Sequence, residues 1–289
     1  MRPITCDAHS DPLWLLSGYA RKKTPPTINE MRMRFGGLDK VTLALYLSDP
    51  VAEQLGHIRA WGAILQQVAT ADKAYPGQFL ALEGGTTLGH DPVTVISRVK
   101  QLATIGIKYL TLVHNTNNQL AGSATDSTTL GLSRLGFEVV EACEDEGILI
   151  DVSHASDRTL SEILPYSKRP IIASHSGCRS ITNHHRNLTD MQITHISMTK
   201  GIVCIPFARN FVHSIEGVGA HIDHVCQVTG SVGYVGIGSD LDGAVMVPGV
   251  EGSEDWSKVV IDTLSNRGFS DAAIGAVAGG NLLRLFGEA

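Results

Sequence analysis

Six short apolar runs in this 289-residue chain finish on side chains that can bind a metal ion or carry a proton. The first ends in Asp7-Ala8-His9-Ser10-Asp11, and later ones end in Glu83, His114-Asn115, His154, His175 and Asp240-Leu241-Asp242. A carboxylate at the end of a buried run is costly unless a positive charge compensates it. The surrounding groups are themselves acids and imidazoles, so the missing charge is expected to be a cation. A His/Asp/Glu set selects borderline divalent ions, zinc foremost. The HxD spacing of His9 and Asp11 predicts both side chains on one face of an extended strand. Together His9, Asp11, Glu83, His154 and His175 exceed the three protein ligands of one open catalytic zinc. They suit two ions that share a carboxylate, with Glu83 as the natural bridge. Any one of these endings has an ordinary reading, since a strand-end histidine is commonly just hydrogen-bonded and Glu-Gly-Gly is a strand stop. The set as a whole carries the metal expectation.

The elements that must position these groups follow a rhythm of short β-rich runs and longer amphipathic segments. The runs are Ile4–His9, Val41–Ser48, Gln78–Gly84, Lys108–His114, Leu149–His154, Pro170–His175, Gly201–Phe207 and Tyr234–Asp240. Between them, Val51–Ala74, Pro92–Thr104, Ser133–Glu146, Ser156–Leu164, Thr189–Thr199 and Gly217–Val228 carry apolar residues at three- and four-residue spacing, which predicts helices. Trp256–Arg267 and Ser270–Phe286 read as two more. Asp91-Pro92, Ser156 and Thr189 are helix-start signals. Eight non-alternating strands separated by helices predict a parallel sheet. In a chain of this length that is an α/β fold, a (β/α)8 TIM barrel in one domain over residues 1–289. A doubly wound open sheet is the competitor, but it commonly has fewer strands and a Gly-rich first turn, which this chain lacks. In a barrel, catalytic groups belong at the C-terminal ends of the strands, where the six endings fall. Strands two and seven, which end near Asp49 and Phe207, look less committed.

Composition narrows the function. Charged residues make up 18% and the net charge is −6, which argues against a nucleic-acid partner. Twelve histidines are many for this length and point to metal or acid–base chemistry. The five cysteines are scattered, odd in number and never in a CxxC pair, as expected for free thiols in a reducing compartment. No apolar run approaches a membrane span and the N-terminus shows no signal-peptide pattern, so the expectation is a cytoplasmic protein with no membrane partner.

In order along the chain, DAHSDPLW, ALEGG, YLTLVHN, LIDVSHAS, PIIASHS, HHRNLTD and GIGSDLDG resemble the motifs of the membrane (renal) dipeptidase family of metallopeptidases. HIDHVCQVTG and the closing NLLRLFGE resemble it too, so the similarity runs from about residue 6 to the end. The resemblance implies a zinc-dependent dipeptidase with a binuclear centre. One Zn2+ would take His9, Asp11 and Glu83, the other Glu83, His154 and His175, with a shared water or hydroxide as nucleophile. His114 would bind the scissile carbonyl or the tetrahedral intermediate. Arg186 would hold the α-carboxylate of the dipeptide substrate, and Asp240 would serve near the solvent and the substrate amine. It also implies a homodimer and tolerance of a D-residue at the second position. The segments Ser17–Asp39 and 115–132 depart from the family pattern and bear on substrate preference. Another amidohydrolase-type barrel hydrolase, a lactonase or nuclease, is the alternative. HxD in place of HxH and the lack of a basic groove count against it.

Overall fold

The computed structural model describes residues 3–20 and 24–288. Residues 21–23, within the divergent Ser17–Asp39 segment, lie outside that description. Eight parallel strands run in chain order: β1 Cys6–Ser10, β2 Lys40–Tyr46, β3 Phe79–Glu83, β4 Tyr109–Thr111, β5 Leu149–Asp151, β6 Ile171–Ala173, β7 Ile202–Ile205 and β8 Val235–Ile237. Each pairs with the next. Just past β8 the sheet closes on itself, where Asp240 N donates to His9 O (3.1 Å) and Asp11 N donates to Leu241 O (2.9 Å). The architecture is the TIM barrel that the strand count predicts.

Helices cover the outside, and their ends follow sequence signals. Asp91 accepts from Thr94 N ahead of helix Pro92–Ile105, and Ser156 accepts from Thr159 N ahead of helix Asp157–Ile163. Thr189 and Gln192 form a reciprocal capping box on helix Asp190–Met198. The long helix Asp49–Ala74 is interrupted at Gly56, whose φ of 70° belongs to the left-handed region. Among the described residues no helix is long and apolar enough to cross a membrane.

The interior is a packed core. Cys6, Ala8, Ala81, Tyr109, Leu149, Ile172, Ile202 and Cys204 fill the barrel, and Leu282 and Leu283 from the last helix, Asn281–Phe286, plug its lower end. The two-residue side-chain period of a strand then fixes what lies above. Ala81 faces inward, so Glu83 does. By the same step Tyr109 brings in Thr111, Leu149 brings in Asp151, and Ile172 brings in Ser174.

Strand β1 breaks that period. Its register shifts between Asp7 and Ser10, a bulge of the kind that re-aims side chains at barrel rims. Cys6 and Ala8 face inward and His9 joins them, while Asp7 faces the outer layer and accepts from Trp256 Nε1. Asp11 lies beyond the strand at φ −117° and ψ 33°. The HxD pair therefore does not share one face of a continuous strand, as its spacing alone predicts; a bulge and a turn bring the two side chains together.

Candidate metal centre

At the C-terminal mouth, three imidazoles converge on one carboxylate oxygen. Glu83 Oε1 is 3.2 Å from His154 Nε2, 3.6 Å from His9 Nε2 and 3.7 Å from His175 Nε2. His9 Nε2 is also 3.4 Å from Asp11 Oδ2, and His154 Nε2 is 2.9 Å from His175 Nε2. Potential ligand atoms form three overlapping groups: His9, Glu83 and His175; Glu83, His114 and His154; His9, Asp11 and Asp240. Glu83 belongs to two of them. The partition otherwise differs from the expected one, since His114 sits close enough to join Glu83 and His154, and Asp240 to join His9 and Asp11.

Every expected ligand is buried, from His9 at 0% exposed to His154 at 7%. His154 and Asp240 hold φ values of 67° and 61°. Such values are uncommon for residues with a side chain and cluster at functional sites.

The electrostatics are those of a centre built around positive charge. Burial disfavours the His9 imidazolium, but Glu83 and Asp11 outweigh it and lift the His9 pKa to about 10. Burial raises Glu83 well above the carboxylate range, against the pull of His9. Burial and then Asp11 push Asp240 up to about 7. His154 and His175 are held well below their ordinary value by burial first, with Arg186 adding to it, and His114 is pushed down to about 4 by burial. His9 Nε2, Asp11 Oδ1 and His154 Nδ1 are buried without a hydrogen-bond partner. Facing lone pairs, orphaned acceptors and crowded carboxylates are what a divalent cation would satisfy, so these residues fit one.

A polar frame underlies the ligands. Asp151 Oδ1 accepts from Ser153 N (3.0 Å) and Ser174 N (2.8 Å), and Oδ2 accepts from Thr111 Oγ1 (2.6 Å) and Ser174 Oγ (2.7 Å). Asp7 Oδ1 accepts from His9 N (3.1 Å) and Ser239 N (2.8 Å). Tyr109 and Ser174 touch the ring nitrogens of His9 and His175, and Tyr46 lies 3.3 Å from His114 Nδ1. Tyr46, Tyr109 and Ser174 are not among the candidates drawn from the sequence. Tyr109 and Ser174 stand in or just past strands that lead to a candidate ligand, but neither residue type marks a support by itself. Asp49, expected near the end of strand two, instead opens the helix Asp49–Ala74; it is buried and accepts from Thr86 and Thr116 (both 2.7 Å).

Arg186 is 5% exposed and lies over the Phe211 ring at 5.3 Å, with Nη2 lacking a partner. Burial lowers its pKa to about 10, while Asp240, Glu83 and Asp151 draw it back up. His184 and His185 stack on each other at 4.3 Å. His184 does not duplicate the Arg186 charge, because its Nδ1 accepts from Arg186 N at 3.1 Å and burial lowers its pKa. Gly243 packs against both Asp11 and Asp240; a Cβ there would collide with their carboxylates. A groove of about 910 Å3 lies on the outer surface, lined by residues such as Leu160, Met191 and Met198 and by none of the groups above.

A sequence model described as membrane dipeptidase (peptidase family M19) matches residues 53–289. That range takes in Glu83, His114, His154, His175, Arg186 and Asp240 and begins after His9 and Asp11, which the fold brings to the same place. Dipeptidase 3 of Macaca fascicularis is 33% identical over 238 residues, 78% of this chain and 48% of that protein. Dipeptidase verJ of Clonostachys rogersoniana is 36% identical over 197 residues, 65% of this chain and 50% of that protein. The chain thus spans about half the length of the curated relatives it matches. A metallopeptidase from Rhodobacter sphaeroides, solved with a phosphinate mimic of the dipeptide L-Ala-D-Ala, shares the fold at a TM-score of 0.85 and 20% identity, covering 100% of this chain and 99% of that one. By the extent of the sequence match, this chain belongs to the membrane dipeptidase family, peptidase family M19.

Proposed function

We propose that this protein is a dipeptidase that works with two zinc ions held by His9, Asp11, Glu83, His154 and His175. The observation that carries the reading is the meeting of three imidazole nitrogens on one oxygen of Glu83, with the buried Arg186 guanidinium nearby, its Nη2 without a partner. Bound zinc supplies Lewis acidity toward a carbonyl and lowers the pKa of water toward neutrality. The chain's own residues supply recognition and proton handling. Arg186 offers a planar fork that matches the terminal carboxylate of a dipeptide. His114 is largely neutral at physiological pH, so it can meet the carbonyl oxygen as a hydrogen-bond donor and stabilise charge that develops there. Asp240 stands beside Asp11 and His9, placed to take the substrate amine and the proton exchanged as the C–N bond breaks. The Rhodobacter sphaeroides protein's dipeptide mimic ends in a D-residue, which supports including L-D dipeptides among the substrates.

The test is hydrolysis of a panel of L-L and L-D dipeptides, with a lactone and a phosphodiester as comparison substrates, before and after chelation. The expected result is dipeptide cleavage that a chelator abolishes and added zinc restores. Cleavage of the lactone or phosphodiester alone, or turnover indifferent to chelation, would refute the assignment.

A further inference from the structure

Two of the imidazoles at Glu83 are backed by hydroxyl groups whose own hydrogens have somewhere else to go. Tyr109 Oη is 2.8 Å from His9 Nδ1 and 2.8 Å from the carbonyl oxygen of Ala8. Ser174 Oγ is 2.8 Å from His175 Nδ1 and 2.7 Å from Asp151 Oδ2, with Ser153 Oγ further off at 3.3 Å. All four residues are buried, together with Ala8 and Asp151, so an unmatched donor or acceptor in either chain is costly.

Hydrogen counting then leaves one arrangement for each. A hydroxyl has a single hydrogen, and a carbonyl oxygen can only accept. If Tyr109 donated to His9, Ala8 O would lose it as a donor. If His9 Nδ1–H donates to Tyr109 Oη and Tyr109 donates onward to Ala8 O, all three of these atoms are satisfied. Asp151 already accepts from Ser153 N, Ser174 N and Thr111 Oγ1, so it stands as an acceptor for Ser174 as well. The same reasoning places the His175 hydrogen on Nδ1, donating to Ser174. In both rings Nε2, on the side of Glu83 Oε1, is then the nitrogen left for a metal ion, which on His9 would displace the proton held there.

We propose that Tyr109 and Ser174 are positioning residues that fix His9 and His175 in the metal-binding tautomer, Nδ1–H with Nε2 free. The two devices are built differently. One ends on a backbone carbonyl inside β1, the other on a carboxylate that also ties β4, β5 and β6 together. The inference rests on the metal-centre reading above and adds to it the residues that set ligand quality.

The test measures Zn2+ affinity by competition with a chromophoric chelator for the parent protein, Tyr109→Phe, Ser174→Ala and Tyr75→Phe. It is paired with 15N spectra of histidine-labelled, zinc-loaded protein. Tyr75 is the control, a tyrosine whose hydroxyl donates to Ile28 O (2.9 Å). Loss of such outer partners costs about 10- to 100-fold in metal affinity. That weakening is expected for Tyr109→Phe and Ser174→Ala, with Tyr75→Phe close to the parent. The spectra should show His9 and His175 carrying hydrogen on Nδ1. Ser174→Ala keeps the test decisive if Tyr109→Phe does not fold. A parent protein that takes up no zinc refutes the metal-centre reading, and this inference with it. Zinc bound by the parent, with both variants unchanged, with Tyr75→Phe equally weakened, or with the hydrogen on Nε2, overturns this inference alone.

Discussion

Replacing Arg186 with methionine should move stability and catalysis in opposite directions. The guanidinium is 5% exposed and its Nη2 has no partner, so the fold holds a charge that awaits its counterion. Arg186 titrates near 10 against an ordinary 12.5. At about 1.4 kcal/mol for each pH unit, holding that charge costs the metal-free fold about 3 kcal/mol. Because the folded pKa is the lower one, the unfolded chain binds more protons between pH 10 and 12.5. The cost is therefore complete below the folded value and is relieved as pH rises through that interval. Methionine keeps an unbranched apolar stem against Phe211 and removes the charge. At neutral pH Arg186→Met should gain up to about 3 kcal/mol in urea unfolding of the metal-free protein. Its catalytic effect runs the other way. A buried ion pair that loses one partner costs about 3–5 kcal/mol, which corresponds to a fall in kcat/KM of about 10²- to 10⁴-fold. Comparing a dipeptide with its C-terminal amide isolates the contact. The parent should strongly prefer the free carboxylate, and the variant should treat the two alike. A variant that keeps the preference would show that the carboxylate binds elsewhere, and a variant that loses stability would show that the charge is already compensated in the fold.

Three further outcomes follow from the same geometry. His175→Ala should lose one of two bound metals and nearly all turnover while keeping its circular dichroism spectrum; metal analysis of purified protein checks this, and full activity would exclude the two-metal assignment. Zinc affinity should rise with pH, since zinc must displace the proton that Glu83 and Asp11 hold on His9 up to a pKa of about 10. One proton displaced corresponds to about tenfold in affinity per pH unit on the acid side of that value, read by chelator competition between about pH 6 and pH 8. Gly243→Ala should drive Asp11 and Asp240 apart, weakening zinc binding by about tenfold or more while leaving the barrel folded, because the collision is confined to the two carboxylates. Unchanged zinc binding in that variant would show that their spacing is immaterial.

Much of the barrel was legible because parallel strands buried on both faces read as apolar runs and the helices between them carry periodicity and caps. The runs were read too long at their carboxyl ends. Regular pairing stops at Thr111, Asp151, Ala173 and Ile237, while the expected strands continue to His114, His154, His175 and Asp240. His9 and Glu83 reach the common point from within β1 and β3, whereas the other four reach it from the segments beyond the ladder. His154 and Asp240 do so in left-handed conformations that no strand contains. The candidate ligands could still be picked out, because their chemistry is conspicuous at the end of an apolar run. The bulge that turns His9 inward leaves no mark in CDAHS, since its cause is the register against β2. Tyr109 was hidden for another reason: a tyrosine in a strand is expected on packing grounds alone, and its hydroxyl gains a role only when the barrel forms and β1 faces it across the interior.

Asp7 joins the amide of His9 to that of Ser239, which lies 232 positions beyond Asp7, and the backbone of His9 is hydrogen-bonded to Asp240 beside it. The seam of the barrel thus runs through the ion-binding rim itself. Until the last strand docks on the first, His9 and Asp11 have no fixed station, and the imidazoles of β5 and β6 face a half-built cradle. Tight uptake of metal should accordingly be a late event, arriving with ring closure, and the ion would act as a clasp between the two ends of the molecule.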